Sequence, residues 1–137
     1  MKYLLDTNII SAIIRDPEGR AGRIFAETRR ADVGTSIIAA AELRYGYVKI
    51  ASRRWEHIVE ATLATMTVVA WDRPADMAYA RLRTEAERQG VTVGQNDMLI
   101  AAHASALGAM LVSDDRIFPR IAELRVENWL RAGPNDF

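Results

Sequence analysis

The stretch KYLLDTNIISAIIR, residues 2–15, decides the fold. It opens with a short apolar run, Lys2 to Leu5, read as a buried strand. The run ends in Asp6, a poor strand residue and a costly one to bury unless something pairs with its charge. The pattern then changes. From Asn8 to Arg15, Ile10, Ile13 and Ile14 recur at helical spacing, and Thr7 stands where it can cap a helix. A strand that passes through an acid into a helix begins an alternating α/β chain.

The alternation continues along the sequence. Asp16-Pro17-Glu18-Gly19 is a turn, and a helix over about Arg20 to Thr28 follows. Asp32 to Thr35 reads as a short strand. Ser36 and Ser52 can each cap a helix, the first running to about Lys49 and the second to about Thr65. Thr67 to Trp71 is a β-branched and aromatic strand. Asp72 and Pro74 open a long helix to Gln89, which Gly90 ends. Asn96 or Asp97 opens another to Leu107, ended by Gly108. Ala109 to Val112 and Leu124 to Val126 are the last strands. Strands alternating with helices predict a parallel sheet covered on both faces, with ligands bound beyond the carboxyl ends of its strands. Asp6 lies at such an end. The 137 residues fit one domain, residues 1–137, with RAGPNDF (131–137) a short polar tail.

Composition narrows the chemistry. There are no cysteines, so disulfides and thiolate metal sites are excluded, and a reducing compartment fits. Asp6 interrupts what would be the apolar core of a signal peptide. The most apolar run, Leu99 to Val112, is too short for a membrane span and contains His103. The formal net charge of zero argues against a protein that binds nucleic acid by bulk charge. Of the 18 basic residues, only Lys2 and Lys49 are lysines. Arginine is the better side chain for bidentate phosphate contacts, although a GC-rich genome also favours it.

If Asp6 marks a site, other acids should converge on it. Glu42 follows Ile38 and Ala41 and precedes Tyr45, which puts it on a helical stripe expected to face inward. Asp97 starts the helix NDMLIAAHASAL, where an aspartate also serves as an ordinary cap. Asp115 follows the strand AMLV in SDDRIF, with Asp114 beside it as the competing choice. Four converging carboxylates repel one another, so a fully ionised set requires cations. Ligation by oxygen alone suits Mg²⁺ or Mn²⁺. One such ion can activate a water, and a second about 3.5–4 Å away can stabilise a leaving oxygen, the chemistry of phosphodiester hydrolysis. Other polar residues have plainer readings. Asp72 is read as a cap. His103, roughly 240° around its helix from Asp97, is assigned to the core with Ile100 and Leu107. His57, among Trp55, Glu56, Ile58 and Glu60, belongs to the surface or a partner contact.

In order and spacing, LLDTNIIS, AAAELRYG, NDMLIAAHA, LVSDDRIF and LRVENWL resemble the PIN-domain ribonucleases, and most closely the VapC toxins of bacterial toxin–antitoxin pairs. Any one of these motifs is weak; the ordered set covers nearly the whole chain. The resemblance implies a three-layer α/β/α domain around a short parallel sheet. Its acidic metal-binding positions fall on Asp6, Glu42, Asp97 and Asp115, and its small polar positions on Thr7, Asn8 and Ser113. Ser113 stands where the family often has a threonine, which keeps the hydroxyl. The adjacency of Asp114 and Asp115 leaves open which of them points inward.

The resemblance further implies a cytoplasmic, Mg²⁺- or Mn²⁺-dependent endoribonuclease with no membrane partner. It would act on RNA, often tRNA, leaving a 5′-phosphate and a 3′-hydroxyl. A VapC toxin is typically a homodimer, silenced by a small VapB-like antitoxin. The antitoxin's C-terminal segment lies across the active-site groove, and its N-terminal part binds the operon's DNA. Arg15, Arg20, Arg23 and Arg44 are then the candidates for RNA contact, against the plainer reading of solvated surface arginines.

Rival enzymes fit less well. A haloacid-dehalogenase-type phosphatase would want an aspartate where Asn8 stands and a lysine late in the chain, and no lysine follows Lys49. The missing lysine also counts against a receiver domain, and no G-x-G-x-x-G follows the first strand. A catalytically silent module on the same fold remains the non-enzyme alternative.

Overall fold

The computed structural model describes residues 1–131. Five strands form one sheet: β1 (Tyr3–Leu5), β2 (Val33–Ser36), β3 (Thr67–Val69), β4 (Met110–Val112) and β5 (Val126–Glu127). Their spatial order is β3-β2-β1-β4-β5, and every neighbouring pair is parallel. Six helices connect them: α1 (Thr7–Arg15), α2 (Arg20–Glu27), α3 (Ile37–Lys49), α4 (Arg53–Leu63), α5 (Ala75–Arg88) and α6 (Gln95–Leu107).

The pleat of the central strands divides the core in two, because successive strand side chains point to opposite faces. On β1, Leu4 enters one apolar cluster and Leu5 the other; on β4, Leu111 and Val112 divide the same way. Leu4 and Leu111 pack with α5 and α6 residues such as Leu82, Met98 and Ile100. Leu5 and Val112 pack with Ile9, Ile10, Phe25 and Val59 of α1, α2 and α4, and with Trp129. All four strand residues are fully buried, so truncating any to alanine should cost roughly 2–5 kcal/mol. Helix α3 serves both faces, with Ala39 in the first cluster and Ala40 in the second. This is the expected three-layer α/β/α arrangement.

Local chemistry sets the helix ends. Ser36 caps α3 by accepting from the Ile38 N–H at 3.0 Å, and Ser52 caps α4 through Trp55 N–H at 3.0 Å. Gly108 ends α6 at φ 63° and Gly90 follows α5 at φ 70°, a region open to glycine without penalty. Two cap expectations are corrected. Asp6 itself caps α1, and Thr7 is the first helical residue. Asp72 gives α5 only its backbone carbonyl, which accepts the Ala75 N–H at 2.7 Å; Pro74 occupies the cap position.

Strand edges shift by one or two residues. β2 runs to Ser36, β3 stops at Val69 and β5 covers Val126–Glu127. Single turns of 3-10 helix at Arg30–Asp32 and Phe118–Arg120 carry no periodic signal in the sequence. Of the tail, Arg131 is described and pairs with Asp114, while residues 132–137 lie outside the described residues. No helix among the described residues is long and apolar enough to cross a membrane.

The strand order places the site. The chain builds outward from β1 through β2 to β3, then returns to lay β4 on the other side of β1. In open parallel sheets such a reversal leaves a crevice beyond the carboxyl ends of the strands. Asp6 and Ser113 are the residues that immediately follow β1 and β4.

Candidate active site

Asp6 is the most constrained acid in the crevice. It is 5% exposed. Its Oδ1 accepts the Thr7 N–H at 2.8 Å, and its Oδ2 accepts the Ser113 hydroxyl at 2.8 Å and a longer bond from Asn8 Nδ2 at 3.4 Å. The fully buried Ser113 uses its whole bonding capacity. It donates to Asp6 and accepts from Asn8 Nδ2 at 3.3 Å and from the Asp115 N–H at 3.0 Å. Asn8 Oδ1 in turn accepts the Asp114 N–H at 3.1 Å. The turns after β1 and β4 are thus laced together by small polar side chains, and Asp115 is held beside Asp6.

Glu42 arrives from α3. Thr7 Oγ1 donates to its Oε2 at 3.3 Å, while its Oε1 is buried with no hydrogen-bond partner among the described residues. The stripe expected to carry it inward is corrected: Ala41 and Tyr45 face outward, and Ala39, Ala40 and Leu43 form the buried face of α3. Glu42 sits on the border of that face. Asp97 lies in the first turn of α6 but does not cap it; Gly94 holds the cap position, with no side-chain cap bond.

The adjacent aspartates part company. Asp114 Oδ1 accepts from Asn128 Nδ2 at 2.7 Å and Arg131 Nε at 3.2 Å, and these donors, Asn128 first, hold its carboxyl below the ordinary carboxylate range. Asp115 turns the other way. One of its oxygens closes a local turn on the Ile117 N–H at 3.0 Å, and its charge bears on both Asp6 and Asp97.

The acids therefore feel one another. Burial raises Asp6 above its usual range, against the hydrogen bonds from Ser113 and Thr7, and the Asp115 charge adds to the rise. Burial also raises Glu42, reinforced by Asp6 and then Asp97. Asp97 is pushed up to about 6 by burial, then by Asp115 and Asp6. Asp6, Glu42, Asp97 and Asp115 form one set of coupled negative charges, and Asp114 stands outside it.

This set fits a hard divalent cation. All its donors are carboxylate oxygens, the Glu42 Oε1 is buried and unpaired, and three of the acids resist carrying their charge without compensation. Among the described residues no three acids or histidines stand close enough to make a ready-made metal cage. Mg²⁺ does not require one, since it keeps several waters and binds through one or two carboxylates.

Outside the set, His103 is buried with Ile100 as expected, at 2% exposed, and its Nδ1 lies 2.8 Å from Ser36 Oγ; Leu107, expected beside them, is corrected to the surface near the end of α6, at 39% exposed. His57 is exposed, as a surface role requires. Arg44 makes a two-pronged pair with Glu60, both contacts at 3.0 Å, which Tyr47 joins through its hydroxyl at 3.1 Å. That staple between α3 and α4 occupies the guanidinium proposed for RNA. Arg15, Arg20 and Arg23 are exposed. Of the two residues that engage Asp114, Asn128 carried no sequence signal beyond its place in LRVENWL, and Arg131 was read only as the start of the tail.

Comparison with known proteins identifies the family. Residues 3–124 match the PIN domain. The chain belongs to the PIN-domain family. Within that family it groups with VapC proteins. It is 34% identical over 132 residues to ribonuclease VapC2 of Rickettsia felis, covering 94% of this chain and 98% of that protein. It is 35% identical, with the same coverage, to the tRNA(fMet)-specific endonuclease VapC of Salmonella typhimurium. The PIN fold here superposes with a TM-score of 0.88 on a chain of the DNA-bound VapBC structure from Salmonella typhimurium, at 31% identity, covering 94% of this chain and 98% of that one. Against VapBC2 of Rickettsia felis bound to a promoter DNA fragment, the TM-score is 0.82 at 32% identity, covering 94% and 99%.

Proposed function

We propose that this chain is an endoribonuclease toxin that hydrolyses RNA, with tRNA as its substrate class, in the bacterial cytoplasm, and that a VapB-like antitoxin holds it silent. The observation that carries the reading is the coupled set Asp6, Glu42, Asp97 and Asp115 at the sheet's point of reversal, with a buried carboxylate oxygen left unpaired. Its related chains are named ribonucleases and a tRNA endonuclease.

In the proposed reaction a water oxygen bonds to phosphorus and the P–O3′ bond breaks, leaving a 5′-phosphate and a 3′-hydroxyl. Asp6, Glu42, Asp97 and Asp115 would hold Mg²⁺ or Mn²⁺, which when bound supplies Lewis acidity toward the attacking water and the leaving oxygen. The protein's own work is positioning. Ser113 and the Thr7 N–H fix both oxygens of Asp6, so that carboxylate is held before substrate arrives. Thr7 steadies one oxygen of Glu42 and leaves the other free. The exposed Arg15, Arg20 and Arg23 on the following helices supply positive charge toward RNA phosphates.

The partner reading has its own support. Tyr45, Val48 and Ile50 at the end of α3 are 63–68% exposed, more apolar surface than an isolated chain needs there. Beside them a groove of about 660 Å³ runs between α1 and α4, with Ile14, Trp55 and Ile58 in its walls and Arg15 and Arg54 at its edge. Apolar walls with arginines at the rim suit an amphipathic acidic segment, as an antitoxin would present. Homodimerisation is part of the same proposal, as is operator DNA binding through the antitoxin alone.

The test is cleavage of total cellular RNA by the purified chain with Mg²⁺, with Mn²⁺ and with EDTA, beside Asp6→Asn. Discrete fragments that vanish with EDTA and with the substitution support the reading. Intact RNA in every metal-containing lane would point to a silent module on a PIN fold.

A further inference from the structure

Ser36 and His103 are both buried polar residues, at 1% and 2% exposed, and neither belongs to the acidic set. Ser36 ends β2 and caps α3, accepting the Ile38 N–H at 3.0 Å. Its hydroxyl meets His103 Nδ1, on α6, at 2.8 Å. The Ala70 backbone beyond β3 also acts on the ring and favours its charged form. With the Ser36 oxygen already accepting the Ile38 N–H, its hydroxyl is assigned as the donor to Nδ1, which leaves the ring proton on Nε2. Burial favours this neutral ring and lowers its pKa. The chain Ile38–Ser36–His103 is then fully paired.

Two helices that carry acids meet at this bond. Glu42 lies six residues after Ser36 on α3, and Asp97 lies six residues before His103 on α6. At roughly 1.5 Å per residue each acid stands about 9 Å along its helix from the bond. Helices α3 and α6 pack against each other. The buried residues they bring to the shared cluster include Ala39 from α3 and Ala101, Ala102 and Ala104 from α6. Alanine ridges are shallow, so they resist sliding and rotation weakly. A buried polar contact is the kind of device that fixes register in such a case.

We infer that the Ser36–His103 hydrogen bond is a positioning clamp that sets the spacing of Glu42 against Asp97, and so the strength with which the acidic set holds its cation. The inference rests on the metal-dependent reading proposed above. His103 is a positioning residue in this scheme, since it does not itself join the acids.

Two substitutions separate the halves of the clamp. The side-chain amide of His103→Asn takes the place of Nδ1 and keeps the bond to Ser36. That of His103→Gln takes the place of Nε2 and loses the bond to Ser36. Each variant of the full chain is measured three ways: Mn²⁺ dissociation constant from the electron paramagnetic resonance of free Mn²⁺, kcat and KM for RNA cleavage, and urea unfolding without metal. The clamp predicts at least threefold weaker Mn²⁺ binding and at least tenfold lower kcat for His103→Gln. His103→Asn should hold both within threefold, even where its unfolding midpoint falls as far. Ser36→Ala added to His103→Gln should weaken Mn²⁺ binding no further, because both remove one bond. If His103→Gln does not fold, Ser36→Ala against Ser36→Thr makes the same comparison from the other end.

Mn²⁺ affinity in His103→Gln equal to the wild type, or losses in both His103 variants that simply follow stability, would overturn the clamp and leave the nuclease reading standing. A wild-type chain that neither binds Mn²⁺ nor cuts RNA removes the nuclease reading and the clamp together.

Discussion

Ser113 donates a 2.8 Å hydrogen bond to Asp6 across 107 positions of sequence, and that bond joins the ends of the two strands that border the crevice. It is buried and it is the shorter of the two side-chain bonds to Asp6 Oδ2. Removing the hydroxyl leaves that oxygen with the weak 3.4 Å contact from Asn8. A lost bond to a buried charged group costs about 1–3 kcal/mol. Ser113→Ala is therefore expected to lower kcat for RNA cleavage tenfold or more, and Ser113→Thr to retain most of it. Asp6→Asn should abolish cleavage yet fold, because asparagine still caps α1. Full cleavage by Asp6→Asn, with folding confirmed by circular dichroism, would remove Asp6 from the chemistry.

Asp97 gives a prediction about stability without metal. Its carboxyl titrates at about 6 in the folded chain against an ordinary 3.8. Between those values the folded chain holds a proton that the unfolded chain has released, so stability falls as pH rises through the window and stays low above it. A neutral side chain at this position escapes the penalty. Asp97→Asn should be more stable than the metal-free wild type at pH 8, and the two should converge near pH 4. Unscreened, such a rise corresponds to roughly 3 kcal/mol. Asp97 is only half-buried, and solvent screening reduces the expected gain to on the order of 1 kcal/mol. Urea unfolding in EDTA at the two pH values measures it. A variant less stable than the wild type at pH 8 would show that the carboxylate stabilises the chain rather than straining it.

Cation binding should reverse that strain. A ligand that binds only the folded state adds about 2.7 kcal/mol at one hundred times its dissociation constant. Saturating Mn²⁺ should raise the melting temperature of the wild type by several degrees, and EDTA should restore the original value. Asp97→Asn, which lacks one of the proposed donors, should respond much less. Equal shifts in both proteins would locate the stabilising ion elsewhere on the surface.

The sequence made the architecture legible because its signals are local. Ser36 and Ser52 mark helix starts through their side-chain hydroxyls, Gly90 and Gly108 mark helix ends through their backbone freedom, and the isoleucines of α1 declare their face by spacing. Asp6 could be placed at a strand's carboxyl end for the same reason. Glu42 was harder. Its expected stripe included Ala41 and Tyr45, yet both face outward, because the alanines Ala39 and Ala40 proved to be the packing face. An alanine-rich helix gives hydrophobic periodicity little to work with. Partners far apart in sequence were not legible at all: Arg44 with Glu60, His103 with Ser36, and Asp114 with Asn128 and Arg131. Each is a pairing created by tertiary packing between residues with several equally plausible partners.

The last of these pairings yields the sharpest test of the site, because Asp114 and Asp115 are chemically identical neighbours in different surroundings. Asp114 is engaged by Asn128 and Arg131, which favour its charged form without any cation. Asp115 instead adds its charge to the strain on Asp6 and Asp97. Asp115→Asn is expected to lower RNA cleavage at least a hundredfold and to weaken Mn²⁺ binding. Asp114→Asn should leave cleavage within about threefold. Its cost should fall on stability, by no more than about 1 kcal/mol, because the Arg131 pair is partly exposed and asparagine can still accept from Asn128. Parallel assays of the two variants on one RNA, with Mn²⁺ titrations, decide the matter. A hundredfold loss in Asp114→Asn with Asp115→Asn intact would exchange the two roles. It would also mean that the bonds to Asn128 and Arg131 must break before the site can work.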